Sequence, residues 1–109
     1  MKYHILGRSG LRVAQLCLGT MTFGGAEGTG ASAAAARDIY RRYREAGGNF
    51  LDTANIYNAG ESERITGELV NGERESIVLA SKYSMTMDPA DPNAGGNHRK
   101  NMFGAVRAT

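Results

Sequence analysis

Gly47-Gly48-Asn49-Phe50-Leu51-Asp52-Thr53-Ala54 decides the fold. Two glycines end whatever precedes them, a three-residue apolar step follows, and a carboxylate stands at its end. A helix stopped by Gly47-Gly48 and a short buried strand running into Asp52 fit that order. Upstream, Ser32 can cap a helix from about 33 to 46, with Ala36, Ile39, Tyr40, Tyr43 and Ala46 as its apolar stripe. Downstream, a polar loop over 55–60 leads to a helix from about 62 to 70. That helix carries Ile65 and Leu69 on one side, and Asn71-Gly72 closes it. Ile77-Val78-Leu79-Ala80-Ser81 is an uninterrupted apolar run, the pattern of a strand covered on both faces, and it delivers Lys82.

Toward the amino terminus, residues 3–6 and 12–14 flank Gly7-Arg8-Ser9-Gly10 and read as a hairpin. Residues 14–18 read as a first strand leaving through Gly19-Thr20. From Phe23 to Gly30 the chain is a glycine-rich loop. Residues 85–96 form a second long loop, and a last helical segment begins at Asn97 or His98. The order is hairpin, strand, helix, strand, helix, strand and the start of a further helix. Strands alternating with helices imply a parallel sheet. An open three-stranded α/β unit and the opening of an eightfold barrel share this order.

Composition narrows the class. The 109 residues, 41% hydrophobic and 22% charged, suit one soluble globular domain with one core. The 15 glycines are roughly twice the usual share and collect in turns and loops. A net charge of +2 says little about partners. Arg37, Arg41, Arg42 and Arg44 alternate with apolar positions as a solvated helix face does. Tyr40 and Tyr43 sit at core spacing rather than as a stacking platform, so nucleic-acid binding is not expected. No stretch approaches the roughly 20 apolar residues of a membrane helix, and no secretory signal is evident, which makes the cytoplasm the expected location. Cys17, the single cysteine, reads as a small buried hydrophobe.

In a parallel α/β fold the active face is the carboxyl end of the strands. Asp52 and Lys82 end neighbouring strands there, and Tyr57 could fold back over them. Each has a plainer reading: a turn former, a snorkelling strand terminus and a loop anchor. Together they make a coherent proton donor. A phenol is a weak acid at neutral pH, an adjacent ammonium stabilises the phenolate, and a carboxylate holds that ammonium charged. His4 and His98 are too few and too far apart for zinc, and no metal site is expected. Gly24-Gly25-Ala26-Glu27-Gly28-Thr29-Gly30 lacks the ending of a P-loop and does not follow a strand as GxGxxG.

Gly47 to Tyr57, followed by Gly60-Glu61-Ser62-Glu63, resembles the signature of the aldo-keto reductase family. Leu18-Gly19-Thr20-Met21-Thr22-Phe23-Gly24, Val78-Leu79-Ala80-Ser81-Lys82 and Gly96-Asn97-His98-Arg99-Lys100-Asn101 are similar to the same branch, that of the bacterial general reductases and the potassium-channel β subunits. The resemblance implies a (β/α)8 TIM barrel whose bottom the hairpin caps, with residues 1–109 as its amino-terminal part. It also implies an NADPH-dependent reduction of a small aldehyde or ketone. Hydride passes from the nicotinamide, Tyr57 protonates the oxygen, and Lys82 and Asp52 support it. Gly19, Thr20, Met21 and Asp52 match positions beside the nicotinamide-ribose. The family's catalytic histidine follows a fourth strand, and neither His4 nor His98 matches it.

Such barrels need about 250 residues. On this reading the chain alone is an inactive fragment that self-associates through exposed barrel edges. A non-catalytic cofactor-binding or interaction module on the same scaffold is the alternative.

Overall fold

A computed structural model describes residues 1–26 and 28–109; Glu27, within the glycine-rich loop, lies outside the described residues. The amino-terminal hairpin pairs β1 (Tyr3–Ile5) antiparallel with β2 (Arg12–Ala14). Next come β3 (Leu18–Gly19), α1 (Ala33–Glu45), β4 (Phe50–Asp52), α2 (Glu61–Val70), β5 (Val78–Ala80) and α3 (Arg99–Ala108). The three later strands form one parallel sheet in the order β3-β4-β5, with Leu18 opposite Leu51, Gly19 opposite Asp52 and Asp52 opposite Ala80. Asp52 and the chain leading to Lys82 are therefore neighbours.

Local chemistry explains the elements. The Ser32 hydroxyl accepts from the Ala35 N–H and caps α1, and Arg42 and Arg44 occupy its last turn, where the helix dipole favours cations. Ala36 and Tyr40 from α1, Leu51 from β4, and Ile65 and Val70 from α2 are buried together with Phe23 and Ile77. Burying a side chain the size of Leu51 contributes about 1.5–3 kcal/mol. Tyr43 lies across the base of β4. Its hydroxyl is 2.8 Å from the carbonyls of Leu16 and Phe50 and accepts from the Phe50 N–H. Its ring needs a glycine at 48, because a Cβ there would sit 2.2 Å from Tyr43 Cζ.

Asn49 joins the hairpin to the amino end of β4, accepting from the Ala14 N–H at 2.7 Å and donating to the Arg12 carbonyl at 3.1 Å. On the outer side, Arg44 binds Glu73 at 2.8 Å, and the Tyr40 hydroxyl donates to the same carboxylate. Burial and that bond push the Tyr40 phenol up, while the Tyr40 hydroxyl and then Arg44 hold Glu73 below the usual carboxylate range.

Several expectations need correction. Ala14 belongs to the hairpin, and the first parallel strand is only Leu18–Gly19, because Gln15 and Leu16 turn the chain between the two sheets. Cys17 is exposed, not buried. Ile39 and Ala46 also lie exposed, so the stripe of α1 narrows to Ala36, Tyr40 and Tyr43. Val78–Ala80 is half-buried rather than covered on both faces. The half-burial of Val78–Ala80 fits a three-stranded sheet that does not close on itself. The radius of gyration, 14.8 Å, exceeds the roughly 13 Å of a compact chain this long, and the extents are 43 × 40 × 23 Å. The barrel is not closed.

Candidate active site

The ladder between β4 and β5 continues past both strands. Thr53 N–H donates to the Ala80 carbonyl at 2.9 Å, and Asn55 N–H to the Lys82 carbonyl at 3.1 Å. This fixes the Lys82 backbone beside residues 53–55, and its side chain reaches back across the strand ends. Lys82 Nζ donates to Asp52 Oδ2 at 2.6 Å, to the Thr53 carbonyl at 2.9 Å and to Tyr57 Oη at 3.1 Å. An ammonium has three N–H donors, and here all three are engaged. The cation also lies 4.9 Å from the centre of the Tyr57 ring. Partial burial works to lower the lysine's pKa, but the bonds to Asp52 and Tyr57 outweigh it and hold Lys82 above the ordinary lysine range. Because Tyr57 Oη accepts from Lys82, its own hydrogen is left to point elsewhere.

Tyr57 opens a one-turn 3₁₀ segment, Tyr57–Gly60, where the sequence suggested only a polar loop. Asn58 and Ala59 within it have left-handed backbones, with φ of 50° and 55°. The Asn58 amide donates to the Met21 carbonyl at 3.0 Å and the Phe23 carbonyl at 2.8 Å. Gly60, with φ 93°, then turns the chain into α2.

Behind the mouth lies a cluster of hydroxyls, of which sequence reasoning singled out only Thr20, and that for the cofactor. Thr20, Thr53, Ser62 and Thr66 are fully buried. Ser62 Oγ donates to the Thr20 carbonyl at 2.6 Å and lies 3.0 Å from Thr20 Oγ1 and 3.4 Å from Thr53 Oγ1. Thr20 Oγ1 donates to the Asp52 carbonyl at 3.2 Å and Thr66 Oγ1 to the Ser62 carbonyl at 2.7 Å. The cluster binds the ends of β3 and β4 to the first turn of α2. Small hydroxyl residues at both strand ends and the helix start were the only sequence signal for it.

The other expected site residues separate. Asp52, Tyr57 and Lys82 meet. The Thr20 side chain turns inward onto Ser62, whereas Gly19 and Met21 are exposed. Arg37, Arg41 and Arg42 lie exposed on α1, while Arg44 is taken up by Glu73. His98 caps α3, its Nδ1 accepting from the Asn101 N–H at 3.2 Å. The loop over 85–96 is closed at its base by Asn101, which donates to the carbonyls of Tyr83 and Gly96. No described helix is long and apolar enough to cross a membrane.

The model of the aldo/keto reductase family matches residues 15–108, from the turn before β3 to the end of α3. The chain belongs to that family. This aldo/keto reductase chain is 42% identical to norsolorinic acid reductase stcV of Emericella nidulans, over 93% of its own length and 29% of the relative's. It is 41% identical to the uncharacterized oxidoreductase YrpG of Bacillus subtilis, over 94% of the chain and 32% of the relative. Among solved structures, the holo form of the aldo-keto reductase AKR11C1 from Bacillus halodurans superposes with a TM-score of 0.71 at 35% identity. That match covers 84% of this chain and 29% of the other. The chain thus spans about a third or less of the relatives it matches.

Proposed function

We propose that these residues form the first three strand–helix units of a (β/α)8 reductase barrel that reduces an aldehyde or ketone to an alcohol with NADPH. The observation that carries this reading is the saturated Lys82 ammonium. It holds Asp52 and Tyr57 at the carboxyl ends of adjacent parallel strands and leaves the Tyr57 hydrogen free to donate. The mouth fits the nicotinamide end of such a cofactor. Among the described residues Asp52 Oδ1 accepts no protein hydrogen bond, and its side chain is 37% exposed, so a ribose hydroxyl or amide can donate to it. A Cβ on Gly19 would meet nothing within 4 Å, which leaves open space above that strand end, and Met21 beside it is exposed. Gly19, Met21 and Asp52 would hold that end of the cofactor, with Thr20 buried behind them: its N–H is on the Asp52 carbonyl and its own carbonyl accepts from the Phe23 N–H and the Ser62 hydroxyl.

When bound, the nicotinamide supplies a hydride to the carbonyl carbon. Tyr57 Oη gives its proton to the carbonyl oxygen, completing the alcohol, and the phenolate left behind is stabilised by the ammonium 3.1 Å away. Asp52 keeps Lys82 charged and aimed, and the Thr53 carbonyl takes the remaining N–H so that the lysine cannot rotate away. Solvent returns the proton to Tyr57. The remaining strands, a catalytic histidine and the pyrophosphate contacts would come from further barrel elements, so we assign turnover to the complete barrel. The half-exposed sheet edge at β5 suits association with those elements or with another copy. A reducing compartment such as the cytoplasm suits the exposed Cys17 thiol.

The test is Tyr57→Phe in the complete reductase that carries this chain. Removing a positioned general acid should lower kcat by roughly 10²–10⁴-fold, with NADPH affinity retained in a fluorescence titration. Wild-type turnover would contradict the assignment.

A further inference from the structure

We infer that Asn58 is a positioning residue, a strut that sets the proton donor's place by tying its turn to the loop after β3. The inference rests on the reading of Tyr57 as that donor.

Three observations lead to it. First, both partners of the Asn58 side chain are backbone carbonyls, which can only accept, so the NH2 group faces them and both of its hydrogens are used. Those carbonyls lie 37 and 35 residues earlier in the chain, so the bonds join two loops rather than shape one turn. Second, Asn58 and Ala59 are successive non-glycine residues in the left-handed region, at φ 50°, ψ 45° and φ 55°, ψ 36°. Asparagine tolerates that region and alanine rarely enters it. A turn of this kind persists only where its surroundings over-determine it. Third, Phe23 is anchored, with 2% of its surface exposed, in the cluster formed with Ala36 and Ile65.

The mechanical path therefore runs from a packed core, through the Phe23 carbonyl and the Asn58 amide, to the residue adjoining Tyr57. The Met21 carbonyl, beside the exposed side chain we place at the cofactor, is the second point of attachment. Asn58 fixes the spacing between the proton donor and the strand end on which the hydride donor would rest. It touches neither.

Two substitutions separate clamp from backbone. Asn58→Gly keeps the left-handed turn and deletes the clamp; Asn58→Asp keeps the shape and sets a carboxylate oxygen against two carbonyls. In the complete reductase, each is expected to lower kcat by about 10–100-fold, the scale of a small misplacement of a reacting group. Substrate KM should change by less than about threefold, and hydrogen–deuterium exchange at residues 57–60 should accelerate. In a Tyr57→Phe background the same substitutions should change the residual turnover by less than about twofold, because the residue they act through is already disabled. Wild-type kcat and exchange in both Asn58 variants, with Tyr57→Phe still crippled, would overturn the positioning claim alone. So would an equal slowing in the presence and absence of Tyr57. Wild-type turnover in Tyr57→Phe would overturn the underlying reading instead.

Discussion

The chain up to Ile77 and the chain beyond it carry similar amphipathic patterns and fare differently. Every described residue that is buried lies between Val13 and Ile77; none lies from Val78 to Thr109. Helix α1 places Ala36 and Tyr40 against Leu51, Phe23 and Ile65, and these side chains vanish from the surface. Helix α3 offers Met102, Phe103 and Val106 at comparable spacing, yet Phe103 remains 42% exposed and Val106 70%. The Phe103 ring lies under the Arg99 guanidinium of its own helix, 5.0 Å from the centroid, and the tie from α3 to the preceding loop is the polar one through Asn101. Periodicity chooses which face a helix would bury. A partner of matching shape decides whether it does.

The largest expected effect tests the packed side. Leu51→Ala should cost about 2–5 kcal/mol in denaturant unfolding, since a fully buried leucine leaves a cavity between two helices and a sheet. Next is the acid sensitivity of the tie between α1 and the turn after α2. The Tyr40 hydroxyl, and then Arg44, hold the Glu73 carboxyl below its ordinary value. A group depressed in the folded state contributes stability above its unfolded pKa, about 4.3, and loses it as pH falls through the lower folded value. The thermal midpoint of the wild type should therefore exceed that of Glu73→Gln at neutral pH, and the gap should close as pH falls below about 4. A gap independent of pH would show that the carboxylate charge is not what matters. The smallest effect lies on the open side: in the 109-residue chain, Val106→Ala should change stability by less than about 0.5 kcal/mol. A loss approaching that of Leu51→Ala would erase the contrast and show that α3 packs against something in solution.

The same contrast explains what could be read from the sequence. The helix stripe through Ala36 and Tyr40, the stop at Gly47-Gly48 and the strand ending in Asp52 are local patterns, and the structure keeps them. The pairing of Asp52 with Lys82 followed from strand order alone. Cys17 and Val78–Ala80 misled because an apolar run signals burial only if both faces find cover, and this three-stranded sheet does not close on itself. The burial of Ser62 is not legible in the sequence, since a serine in the first turn of a helix ordinarily faces water. Asn58 was missed for a different reason. Its partners are carbonyls at Met21 and Phe23, and backbone acceptors carry no side-chain signature.

The central claim is that the Lys82 charge, held by Asp52, makes Tyr57 a competent acid. Steady-state turnover of Lys82→Met in the complete reductase tests it most directly, because methionine keeps an unbranched apolar stem out to Cε and removes the ammonium. The expected result is a fall in kcat of about 10²-fold or more, with NADPH affinity retained. A Lys82→Met enzyme that reduces carbonyls at the wild-type rate would contradict the account.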